Sequence, residues 1–309
     1  MPLDLTRGTF SGHETFTFRY PWLKKGVDGL KTNQQIFTSD SAIVELGVGK
    51  NMVTSIRHWC LVTGMIEEVA TEPGSRATTL QISELGRRLL LDSAKSWDPY
   101  LEDDATLWLL HWRLVTNPEK ATTWYVAFHR LREAEFTRGS LADELVRLAA
   151  EKKWTKLSRS TIDSDVACFV RTYVPVKRGV TSTLEDTLDC PLTNLDLIQM
   201  IQTDEKGDRL RFNSRPKPSL PPAIFAFALA EYWERRAASQ NTLSLREIAH
   251  GEGSPGRAFR LDDDHVLAYL DMLGKVTKDI LKFDDTVNVR QVVRTAPLNP
   301  LDVLRGYYG

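Results

Sequence analysis

Six polar side chains crowd one stretch of this chain at helical spacing. Between Lys50 and Thr63 the apolar residues Met52, Val53, Ile56, Trp59 and Cys60 fall at offsets 0, 1, 4, 7 and 8, one buried stripe of an amphipathic helix. Asn51, Thr54, Ser55 and His58 fall on the opposite face, and Lys50 and Arg57 flank it. Such a face suits a DNA groove. Short hydrogen-bonding side chains reach base edges, and cations hold phosphates and set register. Asn51 can pair with adenine, and Arg57 with guanine or a phosphate. The competing use is a polar face that docks another protein. Gly47-Val48-Gly49-Lys50 looks like the end of a phosphate-binding loop, but Val44 stands where its first glycine belongs and Asn51 where Ser or Thr belongs.

Other clusters could carry chemistry. Glu102, Asp103 and Asp104 form an acidic triple, and clustered carboxylates hold hard cations such as Mg²⁺ for phosphodiester cleavage. The alternative is acids placed in a helix's first turn to meet its dipole. Asp262, Asp263 and Asp264 before His265 pose the same choice. His13 and Glu14 are an adjacent acid/base pair, although Thr17 rules out an HExxH zinc site. Around them, aromatics interleave with Arg19, Lys24 and Lys25, a pattern that could make a phosphate-binding surface. The alternative there is an arm packed on the rest of the domain. Arg209 and Arg211 would share one face of a strand, either a second backbone-binding patch or a solvated hairpin.

The elements that must position these residues are legible in outline. Ser39 to Leu46 reads as a short helix with Ser39 as its cap, and Gly47 and Gly49 bracket a turn before the Lys50 helix. Met65 to Ala70 and Ala77 to Ile82 read as a hairpin around a Pro-Gly turn with Arg76 near the tip, and a helix follows from Ser83. Helix, turn, helix, hairpin, helix is the order of a winged helix-turn-helix. Glu67, Glu68 and Glu72 would make an acidic wing. Helices are expected at 102–115, 122–131, 140–150, 160–173, 223–237 and 262–273. The one at 160–173 suggests a second helix-turn-helix. Strand pairs are expected at 197–202 with 208–213, and at 281–283 with 287–295. The fold class is α+β, mainly α. Three regions are expected: residues 1–95, a winged-helix DNA-binding domain with an N-terminal arm; 96–180, a helical middle; and 181–309, a mixed α+β region. No internal repeat is visible.

The 309 residues are 42% hydrophobic and 26% charged with a net charge of −1, which excludes a disordered tail and a histone-like protein binding by bulk charge. No apolar run reaches the ~18 residues of a membrane span, and no secretory signal opens the chain, so a cytoplasmic location is expected. Cys60, Cys168 and Cys190 are too few and too scattered for a disulfide framework, and read as reduced thiols filling small gaps.

Four runs, at residues 10–30 (FSGHETFTFRYPWLKKGVDGL), 47–60 (GVGKNMVTSIRHWC), 97–115 (WDPYLEDDATLWLLHWRLV) and 185–192 (EDTLDCPL), together resemble one bacterial family. It is catalogued as a domain of unknown function, and its members are encoded beside cysteine desulfurases and sulfate-adenylating-type enzymes of DNA phosphorothioation. The nickase component of single-strand phosphorothioation systems used in phage defence is of this kind. The resemblance covers almost the whole chain. It implies DNA binding, strand nicking, and cooperation with cysteine desulfurase, ATPase and sulfur-transfer proteins, and it points to no particular catalytic residues. Three roles therefore stand: a nickase, served by His13 and Glu14 or by Glu102, Asp103 and Asp104; a non-catalytic DNA-binding regulator or scaffold; and an interaction protein that never touches DNA.

Overall fold

The structure, a computed structural model, describes residues 5, 8–72, 74–75, 77–91, 95–154, 157–175, 190–204, 207–286 and 289–309. Arg76 and most of the 185–192 run lie outside the described residues.

The chain opens with α1 (Tyr20–Thr32), α2 (Ala42–Leu46), α3 (Lys50–Val62), the hairpin β1 (Ile66–Ala70) and β2 (Thr78–Ile82), and α4 (Glu84–Leu90). The central part holds α5 (Asp104–Val115), α6 (Thr122–His129), β3 (Glu135–Thr137), α7 (Arg138–Glu151), α8 (Arg159–Tyr173), a 3-10 turn at Pro191–Leu195, β4 (Ile198–Asp204) and β5 (Gly207–Phe212). The remainder is α9 (Pro222–Ala237), β6 (Thr242–Ser244), α10 (Leu245–His250), α11 (Pro255–Ala258), α12 (Asp263–Asp271), α13 (Leu273–Val276), β7 (Leu281–Thr286), β8 (Val289–Arg294) and α14 (Pro300–Tyr308). The protein is α+β and mainly helical.

Residues read as part of an N-terminal arm turn out to begin α1. Pro21 suits a first helical turn, where no backbone N–H is needed. Trp22, Leu23, Gly26, Val27 and Leu30 then form its buried stripe, packed along α3. The short α2 starts at Ala42, with Ser41 rather than Ser39 at its cap position. It stops at Gly47, whose positive φ a side chain would strain. On α3 the stripe Val53, Ile56, Trp59 and Cys60 is buried, as its spacing requires.

The core runs through the whole described chain as one cluster from Leu5 to Leu304. Its centre is α5, α6 and α9, helices apolar nearly all round; every residue of α6 is buried. Trp59, Trp108, Trp112, Trp124 and Trp233 are fully buried there, and the three cysteines are buried free thiols.

The two three-stranded antiparallel sheets share a topology that no periodicity in the sequence announces. In strand order β3-β5-β4 and β6-β8-β7, a three-residue edge strand is followed by helices and then by a hairpin whose second strand pairs with it. The last residue of each edge strand, Thr137 or Ser244, closes a capping box on the next helix. The short edge strands carry one buried residue each, Phe136 and Leu243, too little for a repeat to show.

Candidate nucleic-acid interface

The first helices build a surface groove of about 970 Å³ between the start of α1 and the start of α3. Arg19, Lys25, Lys50 and Asn51 line it, and no Asp or Glu does so among the described residues. Lys25 Nζ donates to the carbonyl of Leu46 at 2.9 Å, which fixes the ammonium beside the α2–α3 turn. The Arg19 guanidinium lies over the Trp22 ring, 5.3 Å from its centroid. Both helices start at this groove without a side-chain cap. The positive ends of two helix dipoles therefore add to the three cations.

The polar face expected on α3 divides in two. Lys50, Asn51 and Thr54 are exposed. Ser55 is fully buried, its hydroxyl without a partner among the described residues. His58 is turned inward against Gly12, where a Cβ would stand 2.4 Å from its Nδ1. Burial, with His13 adding to it, pushes the His58 imidazole down to about 3, so it is neutral. Ser55 is thus removed from the expected DNA-reading face, and His58 is half-buried with its Nε2 enclosed. The cause is tertiary: His58 packs beside His13 and Trp59, and Trp59 in turn meets Trp124 of α6.

Arg57 is half-buried and ion-paired with Glu68 of β1 at 3.0 Å. Glu68 also takes Lys120 at 2.7 Å, and Lys120 first and Arg57 second hold its carboxyl below the usual range. Lys24 pairs with Asp28 at 2.7 Å and lies 5.9 Å from the Tyr100 centroid, outside the groove lining. Arg209 and Arg211 do share the exposed face of β5, with Leu210 buried between them, and Arg211 is paired with Glu135 at 2.6 Å.

His13 is 1% exposed, and both of its ring nitrogens are engaged. Thr15 N–H donates to Nδ1 at 3.0 Å, so the proton sits on Nε2, which donates to Asp165 Oδ1 at 2.7 Å. The Nδ1 lone pair is thus occupied by a backbone N–H of the same segment. Glu14 is exposed beside it. Asp165 also accepts the Ser11 N–H at 2.8 Å. Asp165 was missed from the sequence, yet it carried a signal: a carboxylate next to Val166 and one turn before Phe169, on the apolar stripe of α8.

The acidic triple is spent on a helix start. Asp103 caps α5 through Ala105 N–H at 2.8 Å, and Asp104 lies in its first turn. Buried Asp98 accepts Glu102 N–H at 2.9 Å, Asp103 N–H at 3.1 Å and the Thr106 hydroxyl at 2.6 Å. Among the described residues no group of three or more His, Cys, Asp or Glu side chains is arranged to hold a metal ion. Glu102, Asp103 and Asp104 do not converge on one. Asp262 likewise caps α12, through His265 N–H.

The family described as "Protein of unknown function (DUF4007)" matches residues 10–308. Two solved structures are similar. One is a crystal structure of SspB, 33% identical, with a TM-score of 0.85 over 98% of this chain and 88% of that one. The other is a magnesium ion-bound crystal structure of SspB, 32% identical, with a TM-score of 0.86 and the same coverage of 98% and 88%. No curated protein matches the chain.

Proposed function

Since the chain belongs to the DUF4007 family, we propose that it is a DNA-binding component of a bacterial DNA phosphorothioation system of the phage-defence kind. Its partners there would be DNA, a cysteine desulfurase, and the sulfur-transfer and ATPase proteins of that system. The likeness to SspB over nearly the full chain supports the system. The observation that carries the DNA contact is the groove holding Arg19, Lys25 and Lys50 without a carboxylate. In this reading α1, α2, α3, β1 and β2 act as a winged helix whose acidic hairpin stays off the phosphates, while the groove and the start of α3 hold them.

Charge favours this helix over its counterparts. Arg159 at the start of α8 is paired with Asp143 at 2.5 Å and Asp163 at 2.8 Å. The start of α12 carries Asp262, Asp263 and Asp264. Neither presents an unopposed cation to a phosphate.

Nicking belongs to the proposal as the step that loosens a strand and exposes a terminus for sulfur to enter. The second reading, a scaffold or regulator that binds without cutting, is favoured by the engagement of both His13 nitrogens and by the capping duty of Asp98 and Asp103. No cluster of three or more His, Cys, Asp or Glu side chains is arranged to hold a metal ion among the described residues, and no metal-dependent step is assigned to them. The test is conversion of supercoiled plasmid to open circles by the pure protein, with and without Mg²⁺ and its partners, beside gel shifts across a salt series. Open circles would support the nickase, and shifts without cutting the scaffold. The absence of any shift at low salt would refute both.

A further inference from the structure

A track for duplex phosphates needs only cations and donors, yet the wall of this groove is apolar. Phe16, Ile43 and Met52 face it, with Pro21, Trp22 and Val48 beside them. Ile43 is 45% exposed and its neighbour Val44 is 83% exposed, the highest value for a large apolar side chain among the described residues. Uncovered apolar surface beside clustered cations marks a binding surface rather than a solvated face.

Phe16 is held firmly. Its N–H donates to the His13 carbonyl at 2.9 Å, its carbonyl accepts Trp59 Nε1 at 3.0 Å, and its ring meets Trp22 edge-on at 6.2 Å. A ring fixed in this way gives up little freedom when a ligand arrives.

Duplex DNA hides its base faces in the stack and shows a protein its charged outside. An unpaired nucleotide presents a flat apolar base and a phosphate together. Cationic grooves with apolar stacking surfaces are how proteins hold such strands. A volume of about 970 Å³ accommodates a nucleotide. Resting on the DNA-binding reading above, we propose that the groove takes an unpaired nucleotide of single-stranded DNA. Its base lies against Phe16, Ile43 and Met52, and its phosphates lie toward Arg19, Lys25 and Lys50.

The test uses the full chain and three labelled oligonucleotides of equal length: a single strand, the same strand fully paired, and the single strand with abasic sites that keep every phosphate. The single strand is expected to bind about tenfold tighter than the duplex, and abasic substitution to lose about tenfold. Phe16→Ala should reproduce that loss on the intact strand and add little on the abasic one. Ile43→Ser, at an exposed position that does not threaten folding, should do the same more weakly. Equal binding of the intact and abasic strands, or tighter binding of the duplex, would overturn this inference while leaving DNA binding in place. Binding to none of the three at low salt would instead remove the DNA-binding reading itself.

Discussion

His13 and Asp165, 152 residues apart, meet across 2.7 Å in the interior, the imidazole donating and the carboxylate accepting. The contact ties the segment before α1 to α8. Around it Ser11, Glu14 and Thr15 all hold positive φ, backbone that costs a non-glycine residue energy and persists only where neighbours enforce it. The Asp165 carboxylate, the His13 ring and the Arg171 guanidinium, which donates to the Thr15 carbonyl, are those neighbours.

Asp165→Ala should therefore be among the more damaging single changes in the N-terminal half. It orphans the buried His13 Nε2–H and the Ser11 N–H, each at about 1–3 kcal/mol. Urea unfolding should show the midpoint fall, with Asp165→Asn less affected because an amide oxygen still accepts. A midpoint unchanged in the alanine variant would contradict the assigned pairing.

DNA affinity should separate the two halves of the α3 face. Lys50→Ala is expected to weaken binding and lower the slope of log K against log salt by about 1, the signature of one lost phosphate contact. Ser55→Ala should leave affinity and slope alone, because that hydroxyl faces the interior. Equal losses in both variants would mean that Ser55 also faces the DNA.

Acid should destabilise the protein before its carboxylates titrate. Burial pushes His58 and His111 down to about 3, and it lowers His129 well below its ordinary value, with Arg260 adding to the effect on the last two. The unfolded chain takes up these protons near pH 6.5, whereas the folded chain refuses them until far lower pH. Each histidine's contribution is thus intact above pH 6.5 and lost progressively below it, at up to about 1.4 kcal/mol per pH unit. Urea midpoints at pH 7.5 and 5.5 test this; a flat profile would show that the three rings are not held neutral.

Gly86→Ala should destabilise without touching any charged group. A Cβ on this α4 residue would stand 2.0 Å from the Met65 carbonyl oxygen, and a backbone atom cannot swing aside as a side chain can. Overpacking of this kind costs about 1–3 kcal/mol. Thermal unfolding should show a lowered Tm, and a Tm equal to that of the parent would argue against the close approach of α4 to the start of β1.

Local chemistry wrote most of the elements into the sequence. The stripe from Val53 to Cys60, the Ser83 cap of α4, the Gly47 stop and the paired β1–β2 and β4–β5 runs depend on neighbours a few residues away, so spacing alone reveals them. What the outer face of α3 touches does not. Ser55 and His58 share the polar side with Asn51 and Thr54, yet Ser55 is buried, and His58 is partly covered by the segment around Gly12 and His13. The same holds for Asp165, an ordinary acid in the sequence that becomes a buried acceptor once the distant Ser11 N–H and His13 ring close on it. A helix's first buried face follows from its own apolar period, but whether its second face meets water, protein or DNA depends on segments far along the chain, and that only the packed structure decided.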